Sequence, residues 1–221
     1  MDRPLPPVAR PRAATAHPVR IAALLFMCVV EGALFLADAG ILGSARWRPW
    51  AYQHGAFWAG LLHGWQPNFA AQPVTMFATY AFLHGGWGHL LGNALALVWL
   101  GRELGGRVGA GAFATLWGAA MLGGAAAFAL LSRAAMPMVG ASGVVMGLIG
   151  AWIVWDGRDM ARGGARRRNV AAMVGLRTAA IAALNVVMFV RLDGLVAWET
   201  HLGGFLAGVA VALALRNRQA T

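Results

Sequence analysis

Apolar residues gather along the chain into six long runs separated by polar breaks, at about 21–42, 84–101, 108–131, 142–155, 170–190 and 197–215. A membrane-crossing helix needs roughly 20 predominantly apolar residues, and every run but the fourth, 14 residues long, is of that order. The pattern predicts an all-α polytopic membrane protein with six transmembrane helices over residues 21–216. Residues 1–20, rich in Pro and Arg and without apolar period, read as a disordered tail, and 217–221 as a second short tail. A first run of 22 residues exceeds the roughly 7–15 of a signal core, so it is expected to be a retained span. The long outer loop, 43–83, carries Trp47, Trp50, Trp58 and Trp65 with His54 and His63. Tryptophan at that density suits the headgroup layer. The two histidines stand nine apart with no acid between them, a poor metal site. No repeat of fixed period is visible, which speaks against an inverted-repeat transporter.

Composition agrees with the pattern. Only 12% of residues are charged and 59% are hydrophobic, against roughly 25% charged in a soluble domain, so a soluble globular enzyme is excluded. All eighteen basic residues are Arg, giving a formal net charge of +10. Nucleic acid as a partner is not expected, because such proteins collect their cations on a polar face, whereas these lie between apolar runs. A lone Cys28 supports neither a disulfide nor a metal knuckle. The Arg residues instead set an orientation. If all six runs cross, thirteen of eighteen fall in the N-terminal tail, the C-terminal end from Arg216 onward and loops 102–107 and 157–169. Arg-rich loops stay in the cytoplasm, so both termini are expected there. The stretch RDMARGGARRR at 158–168 reads as a topology determinant rather than a lipid-phosphate site.

Polar groups inside a membrane are costly and point to function. They are few: His84, His89 and Asn93 around the second run, Ser142 opening the fourth, Arg177 and Asn185 in the fifth, His201 early in the sixth, and Glu31 and Asp38 in the first. At 1.5 Å per helical residue, Ser142 stands about 21 Å from Asp156, His201 about 22 Å from Arg216 and His89 about 20 Å from Arg102. The three converge at one depth, roughly 8–10 Å below the outer face of a hydrocarbon layer of about 30 Å. The fourth helix therefore starts inside the membrane, where its first turn must line a protein or water-filled cavity. Gly143, Gly147 and Gly150 share one helical face, and His201, Gly204 and Gly208 share another. Small residues allow close helix approach in lipid, which would bring the Ser142 hydroxyl to an imidazole that can take its proton. The unpaired N–H groups of the helix opening at Ser142, with His89 and Asn93 one turn apart, could receive an oxyanion.

These residues carry a family resemblance. Gly140-Ala141-Ser142-Gly143 resembles the GxSG motif of rhomboid intramembrane serine proteases, His89-x-x-x-Asn93 their HxxxN pair, and His201-x-x-Gly204-x-x-x-Gly208 their HxxGxxxG helix. The three motifs lie in the family's order on alternate spans. The resemblance implies a Ser–His dyad with Ser142 as nucleophile and His201 as general base. It also implies an oxyanion hole from the Ser142 amide, His89 and Asn93, with no cofactor and no metal. His84 matches a further, structural family histidine, and Glu103 the acid that follows the second span. Met146 stands where the family usually carries an aromatic against the catalytic ring, and Pro73-Val74-Thr75-Met76 where it often carries Trp-Arg. The implied substrates are transmembrane proteins cut at small residues near a helix break, reaching the site through the bilayer past the second and fifth helices. The implied location is a bacterial inner (cell) membrane.

Other readings are weaker. No H-E-x-x-H occurs, and Asp156 and Asp193 fall at opposite ends of the membrane, against metallo- and aspartyl proteases. A catalytically inactive member that binds and escorts membrane proteins would be expected to lack the serine or histidine. A transporter would need Glu31, Asp38, Arg177 and Asn185 along a pathway, yet Asp38 and Arg177 sit near span ends where snorkelling accounts for them.

Overall fold

The computed structural model describes residues 18–215, all in helices and their connections apart from one isolated bridge. Six long helices match the six runs: α1 (Pro18–Asp38), α4 (Trp87–Gly105), α5 (Ala110–Leu131), α6 (Ser142–Arg162), α7 (Arg167–Arg191) and α8 (Trp198–Ala214). Two short helices, α2 (Trp47–Gly55) and α3 (Gln72–Thr79), and two 3₁₀ turns fold the loop between α1 and α4.

Three long helices, α1, α5 and α7, are long and apolar enough on their own to cross a membrane. The other three carry His89, Asn93, Ser142 and His201. Of these, α6 is the centre of the bundle, buried without a break from Gly143 to Ala151, so protein rather than lipid faces its polar start. Its closest neighbour is α8, because glycines remove the side chains between them. A β-carbon on Gly204 would collide with the Gly143 carbonyl oxygen, one on Gly208 with that of Gly147, and one on Gly147 would stand 2.8 Å from the Gly204 oxygen. A third helix joins this contact, since a β-carbon on Gly123 of α5 would lie 3.0 Å from the Gly203 oxygen. These small-residue stripes are what lipid-embedded helices use to gain dispersion contact.

The connections sort to two ends as the alternating pattern requires. At one end Phe57 and Met138 exchange backbone hydrogen bonds of 2.9 Å, tying the long loop to 132–141. At the other, Arg107 pairs with Asp156 and Asp159 at 2.6 and 3.2 Å. There Arg158 also donates to the carbonyls of Ala212, Leu213 and Leu215, closing the end of α8.

Three expectations need correcting. Pro18, Val19 and Arg20 belong to α1 rather than to the tail, since proline fits the first helical turn; residues 1–17 and 216–221 lie outside the described residues. The fourth helix is not short: it starts at Ser142 as expected but continues past Asp156 to Arg162. Its charged inner turns are satisfied by Arg107 and by the end of α8, so apolarity stops where the helix does not. Lastly, Asp38 and Arg177 do not snorkel alone. Arg48 reaches Asp38 at 2.6 Å, while Arg177 pairs with Asp156 at 2.5 Å and lies 3.9 Å over the Trp152 ring.

Candidate functional site

Because α4, α6 and α8 begin at one end of the bundle, the predicted residues fall in their first two turns. Ser142 is the first residue of α6, His89 the third of α4 and His201 the fourth of α8. The N–H groups that open α6 have no carbonyl one turn earlier to pair with. Gly140 precedes them at φ +118°, a left-handed conformation that disfavours any side chain.

Around Gly140 the two residues from α4 close in. A β-carbon built there would lie 2.7 Å from His89 Nε2 and 3.7 Å from Asn93 Nδ2. The tautomer of His89 follows from its other nitrogen, which accepts from the Gly85 N–H at 3.2 Å. With Nδ1 accepting, Nε2 carries the proton and is the donor beside Gly140. Asn93 is held by donating from Nδ2 to the His89 carbonyl at 3.2 Å, which fixes its amide orientation. Side-chain donors and the start of α6 thus converge on one spot.

His201 is buried, and its Nδ1 is hydrogen-bonded to Asn185 Oδ1 of α7. Among the described residues no hydrogen bond joins it to Ser142. The ring borders a strongly apolar cleft of about 670 Å³ that Met146, Ile181, Phe189, Trp198 and Leu206 help to line. Met146 thus lines the same cleft as the ring. This cleft opens between α7 and α8, the fifth and sixth spans, and no residue of α4, the second span, lines it.

His84 is fully buried, and neither ring nitrogen has a hydrogen-bond partner among the described residues. Its ring packs edge-on against His89, centroids 5.2 Å apart. Its carbonyl accepts from Arg48 at 3.1 Å and from the Tyr52 hydroxyl at 2.6 Å. Glu31, 1% exposed, is no pathway residue: Arg48 reaches it at 2.9 Å and so ties the loop between α1 and α4 to α1. As for the interfacial pair, His54 stacks on Trp50 and His63 meets Arg133.

Sequence reasoning passed over Arg48 and Tyr80. Tyr80 accepts from the Gly140 N–H at 3.0 Å through its carbonyl and donates its hydroxyl to the Met121 carbonyl at 2.8 Å, holding the turn before Ser142 against α5. Burial pushes its hydroxyl above the ordinary tyrosine value, so it stays a donor. One signal was available: the chain has only two tyrosines, and both donate to backbone carbonyls around the site.

A glycine-packed helical membrane bundle, with a serine opening its central helix, a histidine of α4 beside that opening and a buried histidine on the closely packed α8, defines a narrow class of integral membrane protein. A family model described as the Rhomboid domain matches residues 71–218, more than half the chain, and the protein belongs to the rhomboid family. It is similar to RHOMBOID-like protein 5 of Arabidopsis thaliana, 29% identical over 146 residues that cover 62% of this chain. The match covers 42% of that relative's length.

Proposed function

We propose that this membrane protein is a serine endopeptidase that hydrolyses a peptide bond in or near a transmembrane segment of another membrane protein. The observation that carries the reading is the convergence at the start of α6: the Gly140 turn, the His89 Nε2 donor and the Asn93 amide, beside a serine that opens its helix, where an N–H has no helical carbonyl to pair with. Ser142 Oγ attacks the scissile carbonyl carbon while His201 Nε2 takes its proton. The carbonyl oxygen becomes an oxyanion that receives hydrogen bonds from the Ser142 N–H, His89 and Asn93. When the tetrahedral centre collapses, the C–N bond breaks and His201 returns its proton to the leaving amine. Water, deprotonated by His201, then releases the acyl group and restores Ser142.

The chemistry needs no metal or organic cofactor. Catalytic hydrogen bonds are often absent before substrate binds and tighten in the complex, so the missing Ser142–His201 bond is compatible with the dyad. The apolar cleft beside His201 suits a substrate segment arriving from the lipid. Such a helix hides its carbonyls in internal hydrogen bonds and must unwind before attack, which favours small residues at the cut. The Arg distribution supports placing both termini in the cytoplasm, with the site opening toward the outer face, and the resemblance implies a bacterial inner membrane.

The test is cleavage in proteoliposomes of a single-span membrane protein with small residues near its outer end. Wild type is expected to cut it, and Ser142→Ala and His201→Ala to leave it intact. Folded wild-type protein that binds such substrates without cutting them would favour the escort reading.

A further inference from the structure

We infer that Asn185 of α7 is a positioning residue for His201, the third member of a Ser142–His201–Asn185 chain; the inference rests on the protease reading above. The geometry fixes the direction of each bond. Asn185 Nδ2 donates to the Ile181 carbonyl at 2.9 Å, one turn back on the same helix, and a carbonyl can only accept. The amide therefore presents Oδ1, an acceptor, to the imidazole, and His201 Nδ1 must carry the proton that it donates there. Nε2 is then left with its lone pair free, as the acceptor of the Ser142 proton requires. An asparagine in this place does for the ring what the Asn of Cys-His-Asn proteases does.

Two further observations give Asn185 this task. Among the described residues no carboxylate hydrogen-bonds to His201, and the α6 residue that lines the same cleft, Met146, carries a flexible thioether rather than a flat ring. In addition, α7 buries none of its residues, and its inner half is held to α6 where Val170, Met173 and Val174 meet Gly157. A polar amide on the outer half of so exposed a helix would be costly facing lipid. Turned inward, it spans from α7 to α8 at the depth of the site.

The test compares full-length wild type with Asn185→Leu, which keeps the volume and loses the acceptor, and with Asn185→Asp, which keeps an acceptor. Asn185→Leu is expected to lower kcat and the rate of fluorophosphonate labelling by roughly 10- to 100-fold, with KM within about threefold and an unchanged Tm. Asn185→Asp should recover most of that loss. In ¹⁵N-histidine spectra, His201 should be protonated at Nδ1 in wild type and lose that preference in Asn185→Leu. Wild-type kcat in Asn185→Leu would overturn the inference, as would a fall in kcat that follows a fall in Tm and is not recovered by Asp. If wild type neither labels nor cleaves, the protease reading fails, and the spectra still decide this bond: a proton on Nε2 instead of Nδ1 refutes it.

Discussion

Gly140 holds φ at +118° with His89 Nε2 and Cε1 both 2.7 Å from the point where a β-carbon would stand. The position thus faces two demands at once, a left-handed backbone and an approaching imidazole, and only glycine meets both. Gly140→Ala is expected to cost about 1–3 kcal/mol of stability from backbone strain. By pushing His89 away it should also lower kcat at least about 10²-fold, the scale of losing one oxyanion donor. Thermal unfolding and steady-state cleavage measure the two effects separately, and an active Gly140→Ala would remove His89 from the proposed oxyanion hole. At this scale much of the candidate site was legible, because His89 and Asn93, like Gly204 and Gly208, lie one turn apart on a single helix and local spacing encodes their shared face. Arg48 and Tyr80 were not. Their partners, Glu31 and Met121, lie on other elements, 17 and 41 residues away, and no periodicity in a loop announces such a pairing.

Between elements, glycines and one arginine decide the arrangement. The α6–α8 contact is set by backbone meeting backbone, and it fixes the helix of Ser142 against that of His201. The outer loop is set by Arg48, which joins α2 to Glu31 and Asp38 of α1 and to the carbonyl of His84, next to the site. Glu31 is 1% exposed, so Arg48→Ala leaves a buried carboxylate without its partner. The expected cost is about 3–5 kcal/mol, read as a lowered Tm in detergent. Arg48→Ala combined with Glu31→Gln should be more stable than Arg48→Ala alone, and a double variant no better than the single would show that the pair is not what holds the loop. Helix starts were read from the sequence at Ser142 and, one residue early at 197, for α8, whereas the C-terminal end of α6 was not. Hydropathy reports where lipid stops, and α6 runs on beyond that point because Arg107 and the end of α8 supply partners for its charges.

Across the whole molecule, scarce charge serves topology and leaves few polar groups within the bundle. Arg107, Arg158 and Arg162 cluster at one end, while the Trp-rich loop and residues 132–141 meet at the other. With Cys28 replaced, single cysteines in 158–168 should be protected from an impermeant thiol reagent in intact cells, and single cysteines in 43–70 should react. The reverse pattern would turn the site toward the cytoplasm and refute the orientation. The six helices were legible as six apolar runs, although only α1, α5 and α7 are long and apolar enough on their own to cross a membrane; the central place of α6 was not, since hydropathy does not tell a buried helix from a lipid-facing one. The central claim, that Ser142 is a nucleophile activated by His201, is tested most directly by treating the purified, folded protein with a fluorophosphonate and mapping the adduct by mass spectrometry. The account predicts one adduct, on Ser142, absent in Ser142→Ala and strongly slowed in His201→Ala. An adduct on another residue, labelling that persists in Ser142→Ala, or labelling unaffected by His201→Ala would contradict it.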